Sequence, residues 1–257
     1  EHAALFACGL ATKGLKPFLA IYSTFMQRAY DMIIHDMAIQ KLPVRLCMDR
    51  AGLSGDDGPT HHGLFDIGYL RHVPDLVMMQ PKDEPELCDM LWTMAAFEDG
   101  PIAIRYPRGP IAGVPVGGEP KLLTVGESEV VEDGADVALF GLGTFFTMAS
   151  EAREELERQG VSTALVNPRW IKPMDTKTLE EMARKVKVIC TFEDHVLPNG
   201  YGCGVIEHLH DAGITTPVVR IGWPDEFIEH GNVPALRQKH GVTAENAVKL
   251  VLNALKK

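Results

Sequence analysis

The sequence has no paired-cysteine motif. Its five cysteines, Cys8, Cys47, Cys88, Cys190 and Cys203, are scattered, odd in number and never in C-x-x-C spacing. They fit reduced intracellular thiols in or near a core better than a disulfide framework or a zinc site. Basic charge is short: 25 Lys and Arg stand against 35 Asp and Glu, for a net charge of −10. That balance argues against general nucleic-acid binding but leaves room for a local basic pocket. No apolar run approaches the about 20 residues that cross a bilayer, so the chain reads as soluble, without a membrane partner. Repeats and low-complexity tracts are also missing. There is no initiating Met: the chain opens on Glu1-His2-Ala3-Ala4-Leu5-Phe6, already in a helical pattern, and reads as part of a longer protein.

What is present is a globular composition, 46% hydrophobic and 23% charged over 257 residues. Helical and strand-like periods alternate. Helices are expected at 2–13, 24–40, 83–97, 145–158, 175–184, 203–212 and 243–255. Asp83 and Thr243 are N-caps, and Thr24 with Gln27 has capping-box spacing. Strands are expected at 16–22, 43–49, 75–80, 102–106, 136–141, 162–167, 186–192 and 217–221. Residues 109–120 (GPIAGVPVGGEP) carry three prolines and four glycines and break the alternation. The fold class is therefore α/β, with two domains, each a mostly parallel sheet flanked by helices: 1–115, a linker 116–130, and 131–257.

The richest stretch is 50–63, Arg-Ala-Gly-Leu-Ser-Gly-Asp-Asp-Gly-Pro-Thr-His-His-Gly. Four glycines and a proline exclude a regular element, yet Arg50, Asp56, Asp57, His61 and His62 are all there. A permissive backbone bearing ionisable groups at the C-terminal end of a strand suits ligand binding. Adjacent extended residues point apart, so His61 and His62 are not expected to share a metal; one histidine in a pocket as acid, base or donor fits better. Arg50 (DRAG) and Arg108 (YPRG) each follow a strand. Together they suit a phosphate; equally, both suit structural salt bridges. Tyr22 ends a strand, and Phe25 and Arg28 share a face of the next helix by i, i+3 spacing, with a core position the default for Phe25. Gly141-Leu-Gly143 is an ordinary strand-to-helix turn rather than a dinucleotide loop. Gly200-Tyr-Gly202-Cys-Gly204 could cradle an anion or allow close packing against a neighbouring chain.

Taken together, EHAALFACGLA, AIYSTFMQRAYDMIIHD, DRAGLSGDDGPTHHG, IAIRYPRG, NPRWIKPMD and FEDHVLPNGYGCGV resemble the 1-deoxy-D-xylulose-5-phosphate synthases, a branch of the transketolase-like thiamine-diphosphate enzymes. The likeness spans the chain but covers only the pyrimidine-binding and C-terminal domains of such an enzyme. It implies decarboxylation of pyruvate on thiamine diphosphate and addition to D-glyceraldehyde 3-phosphate, in isoprenoid-precursor and thiamine or pyridoxal biosynthesis, by a cytoplasmic homodimer. By the same resemblance Phe25 stacks on the cofactor's pyrimidine and Arg28 supports that pocket. His61 is the catalytic acid or base. Tyr22 and Asp57 are polar partners, and Arg50 and Arg108 hold the substrate phosphate. The family's glutamate, which hydrogen-bonds the pyrimidine, falls one position before Glu1. The Mg2+ and diphosphate motif belongs to an N-terminal domain that is not in the sequence, so this chain alone is expected not to turn over. The alternatives are another transketolase-like ketol transferase, or a non-catalytic dimerisation or scaffold fragment.

Overall fold

The computed structural model describes residues 1–109 and 112–256. Pro110 and Ile111, within the Pro/Gly-rich stretch at 109–120, lie outside the described residues. Two five-stranded sheets form. The first has the order β1 (Phe18–Tyr22), β2 (Arg45–Asp49), β4 (Ile102–Arg105), β3 (Val77–Met79) and β8 (Trp170–Lys172). The second runs β10 (Val218–Trp223), β9 (Val188–Val196), β6 (Val137–Gly141), β7 (Thr163–Asn167) and β5 (Glu129–Glu132). Each has three consecutive parallel pairings and one antiparallel edge strand, β8 or β5. The inner strands β2, β4, β6, β7 and β9 are almost wholly buried, as parallel strands covered on both faces are.

Helix α1 (His2–Ala11) and the helical run from 23 to 38 cover one face of the first sheet. That run is not the regular helix expected from its apolar spacing. It passes from α2 (Ser23–Met26) through a 3-10 stretch (Gln27–Ala29) and α3 (Tyr30–Met32) into a π-wound segment (Ile33–Ala38). Met26, Ala29, Ile33 and Met37 still reach the core, because such spacing tolerates a local change of winding. The capping box does not form either. The helix starts at Ser23, one residue early, and the Thr24 hydroxyl donates to Thr60 O at 3.1 Å. A short helix, α4 (Asp66–Leu70), follows the glycine loop, and α5 (Glu84–Ala96) packs on the other face, capped by Asp83 as expected.

Residues 112–128 hold no helix or strand and run along α5, with Gly113 N, Lys121 N and Leu123 N donating to Glu84, Asp89 and Thr93. The second sheet carries α6 (Phe145–Arg158), α9 (Val233–His240) and α10 (Ala244–Leu255) on one face, and α7 (Thr176–Lys185) and α8 (Tyr201–Asp211) on the other. Thr243 caps α10 through Asn246 N. The two sheets share one apolar core: Leu46, Met48 and Met78 of the first cluster with Phe140, Val166 and Ile189 of the second. Strand β8 makes the same point in backbone, since a segment from beyond β7 closes the edge of the first sheet by pairing with Met78 and Met79.

Candidate active site at the strand ends of the first sheet

Strands β1, β2 and β4 lie side by side and end together, with Tyr22 opposite Asp49 and Met48 opposite Arg105. The glycine loop starts at this edge. Gly52 and Gly63 exchange backbone hydrogen bonds at 2.8 Å, which closes its neck. A Cβ on Gly52 (φ +87°) would lie 2.2 Å from Asp194 Oδ2, so the backbone here is passable only to glycine. Asp56 and Asp57 sit on a short 3-10 turn, Gly55–Asp57.

Six of the seven expected site residues meet here. Tyr22 and Phe25 stack, with ring centroids 5.4 Å apart and planes at 16°. His61 meets Phe25 edge-on at 5.3 Å. The Arg50 guanidinium lies 3.8 Å over the Tyr22 ring. Arg50, Tyr22, Phe25 and His61 thus form one continuous row. Phe25 is not a core residue: 47% of it is exposed. Arg28 lies outside this row, exposed on the Gln27–Ala29 stretch.

Both arginines are paired. Arg50 takes a left-handed backbone conformation (φ +55°), held by Asp49, which accepts from Arg50 N at 2.6 Å and from Nη1 at 2.7 Å. Arg50 Nε stands 3.6 Å from Asp57 Oδ2, and Arg108 forms a close ion pair with the same oxygen. The Arg108 guanidinium, first by its hydrogen bond and then by its charge, holds the Asp57 carboxyl below the usual range. Two guanidiniums therefore converge on one carboxylate, the arrangement in which a phosphate would be gripped.

A second polar cluster, not foreseen from the sequence, lies just beneath. Arg105 is fully buried and donates to Asp66 Oδ2 and Oδ1 (2.8 and 3.0 Å), Gln80 Oε1 (2.6 Å), Gly63 O (3.3 Å) and Asp194 O (3.1 Å). Three consecutive ionisable residues of β9 are also buried. Asp194 Oδ1 accepts from Leu53 N at 3.2 Å and Trp223 Nε1 at 2.7 Å. His195 Nε2 accepts from Gly68 N at 3.1 Å, and burial pushes its pKa down to about 4. Glu193 accepts from Tyr201 N and Gly202 N, the first amides of α8, at 2.6 and 2.9 Å. Burial pushes its pKa up to about 7 against those two bonds. Gly200 and Gly202 of the Gly200-Tyr-Gly202-Cys-Gly204 run thus serve the chain's own carboxylate. A Cβ at Gly200 would fall 2.1 Å from Glu193 Oε2, and one at Gly202 2.5 Å from Thr191 Oγ1. The sequence signal was Glu193-Asp194-His195 in a strand otherwise apolar, since such a run in a covered parallel strand demands internal partners.

Family comparisons agree with this layout. Residues 1–112 match the model "Transketolase, pyrimidine binding domain" and 126–247 match "Transketolase, C-terminal domain". Similar proteins include the 1-deoxy-D-xylulose-5-phosphate synthases of Methylacidiphilum infernorum (58% identical over the whole chain), Acidobacterium capsulatum (56% over 96% of it) and Aquifex aeolicus (47% over the whole chain). The chain spans about 40% of the length of these relatives. Among solved structures, a "Split gene transketolase, inactive beta4 tetramer" superimposes with a TM-score of 0.88 at 31% identity, covering 99% of this chain and 81% of that one. The chain belongs to the transketolase family, with 1-deoxy-D-xylulose-5-phosphate synthases among its relatives.

Proposed function

We infer that this chain supplies the pyrimidine-facing and phosphate-gripping part of a 1-deoxy-D-xylulose-5-phosphate synthase, which joins pyruvate to D-glyceraldehyde 3-phosphate with loss of CO2. The observation that carries this is the row Arg50–Tyr22–Phe25–His61, flanked by the Arg50–Asp57–Arg108 convergence. Phe25 fits thiamine diphosphate, because its half-exposed ring offers a stacking surface for an aminopyrimidine beside a titratable imidazole. When bound, the cofactor supplies the electron sink for decarboxylation.

The chain's own residues orient and move protons. Arg28 borders the pyrimidine pocket. His61 gives or takes a proton at the reacting oxygen. Tyr22 and Asp57 hold hydroxyl groups of the substrate, and Arg50 and Arg108 hold its phosphate by exchanging Asp57 for the incoming anion. No residue here is assigned the carboxylate that hydrogen-bonds the pyrimidine. Mg2+ and the diphosphate are held by a further domain of such an enzyme. The similar solved structure, described as a tetramer, supports self-association; the catalytic assembly is read as a cytoplasmic homodimer.

The test combines the chain with the diphosphate-binding part of such an enzyme and measures deoxyxylulose phosphate. Arg50→Ala is expected to raise KM for glyceraldehyde 3-phosphate about 10- to 100-fold, as loss of a charge-assisted contact does, while pyruvate decarboxylation without the aldehyde is unchanged. No product from a folded assembly would sink the reading. Ketol transfer between sugars instead would favour a transketolase-like transferase.

A further inference from the structure

His62 turns away from the exposed row occupied by its neighbour His61. It is 2% exposed, and both ring nitrogens are engaged. Nδ1 lies 3.2 Å from Ser54 N, whose N–H can only donate, so Nδ1 carries a lone pair. The ring proton is therefore on Nε2, which donates to Glu229 O at 3.2 Å. Burial lowers the pKa of this imidazole and keeps it in that neutral form. The bridge joins the glycine loop to the segment between β10 and α9.

Other contacts bring the same two segments together. Gly231 N donates to Gly55 O at 3.3 Å. A Cβ on Gly55 would meet Val233 Cγ2 at 2.7 Å and Gly231 O at 2.9 Å. Leu53 and Leu64, which flank the loop's active stretch, are packed in the second sheet's core. From Ser54 the bridge reaches His61 directly: Ser54 Oγ donates to His61 O at 2.9 Å, and His61 N donates to Gly58 O at 2.9 Å. His61's backbone is thus fixed by a residue that the second sheet's loop holds in place.

We propose that His62 is a positioning residue: its neutral imidazole, strung between Ser54 N and Glu229 O, holds His61 against Phe25, so the 224–233 segment sets the geometry of a site in the other half of the molecule. This rests on the reading of His61 as an active-site acid or base. Arg50 is held by Asp49, which lies outside the bridged stretch, so the loss of His62 falls on proton transfer more than on phosphate affinity.

The test uses His62→Phe, which fills the space with neither bond, and His62→Gln, whose amide can both accept and donate. In the chain itself, 15N spectra of the imidazoles are expected to show His62 as the neutral Nε2–H tautomer. Amide exchange at Ser54 and Gly231 is expected to rise together, roughly tenfold, in His62→Phe and to return toward the parent rate in His62→Gln. In the active assembly, His62→Phe is expected to lower kcat roughly tenfold with KM for the phosphorylated aldehyde changed less than twofold, and His62→Gln to restore most of kcat. A proton on Nδ1, unchanged exchange, or loss of kcat and phosphate affinity together without rescue would each overturn the proposal. His61→Ala separates the two readings: full turnover in that variant would overturn the active-site role of His61, while the exchange result would still decide whether His62 holds the loop.

Discussion

Arg105 and Arg108 lie three residues apart, one ending β4 and the other just past it. Arg105 is fully buried, and its donors are taken by Asp66, Gln80, Gly63 and Asp194, residues from three separate parts of the chain. Arg108 is 47% exposed and faces one carboxylate, Asp57. The same chemical group at the same sheet edge thus stands in two different settings. A guanidinium whose partners are all fixed inside the protein fastens the halves together and has nothing left for a ligand. One with a single carboxylate partner at the surface is held far less firmly, and on the proposed reading it is the one free to take an incoming anion. Depth below the surface, and the number of partners that depth imposes, sets how firmly each is held.

The widest contrast comes from removing each arginine. Arg105→Met leaves Asp66 charged and unpaired in the core and is expected to cost about 3–5 kcal/mol in urea denaturation. Arg108→Ala is expected to leave the denaturation midpoint where it was. Equal shifts in the two variants would break the comparison.

The next test probes the buried cluster by pH. His195 has a folded-state pKa of about 4, below its ordinary value, so the unfolded chain takes up a proton that the folded one refuses. That difference lowers stability as pH falls from about 6.5 to 4, by about 3 kcal/mol in full. Glu193, with a folded-state pKa of about 7, works the other way. Its contribution is complete below about 4.5 and is lost as pH rises to 7. The two slopes oppose each other across pH 4.5–6.5. Glu193→Gln removes one of them, and urea midpoints of the variant are expected to climb with pH over that window more steeply than in the parent. A parallel profile in parent and variant would show that the two do not oppose each other.

The smallest effect belongs to the exposed pair. Arg108→Ala is expected to weaken binding of inorganic phosphate to the chain three- to tenfold by calorimetry, roughly the effect of one solvent-screened contact. Unchanged phosphate binding would show that Arg108 is a structural partner of Asp57 and no more.

Much of the architecture could be read in advance, because buried parallel strands such as Arg45–Asp49 and Val137–Gly141 are short apolar runs between glycine or proline breaks. Strand Trp170–Lys172 could not. It is three residues between two prolines, and its partner lies some ninety positions earlier, where no local pattern reports it. The winding of residues 23–38 was hidden for another reason, since one set of apolar positions satisfies regular and π-wound turns alike. At the site, the loop's composition pointed to Arg50, Asp56, Asp57, His61 and His62 alike, and only the family resemblance singled out Arg50, Asp57 and His61. That Asp57 would answer both arginines, and that Arg105 would vanish into the core beside Asp66, depends on residues meeting across the fold.

Strand β8 also bears on how such a chain could be divided or recombined. A cut in the stretch 112–128 looks harmless, because it forms no helix or strand. Yet the piece carrying Met78 and Met79 would lose its edge strand, and the piece carrying Trp170 would bear a strand with nothing to pair with. A chimera that takes its second half from a relative imports part of the first half's sheet as well. The two halves can be exchanged only as partners already fitted to each other.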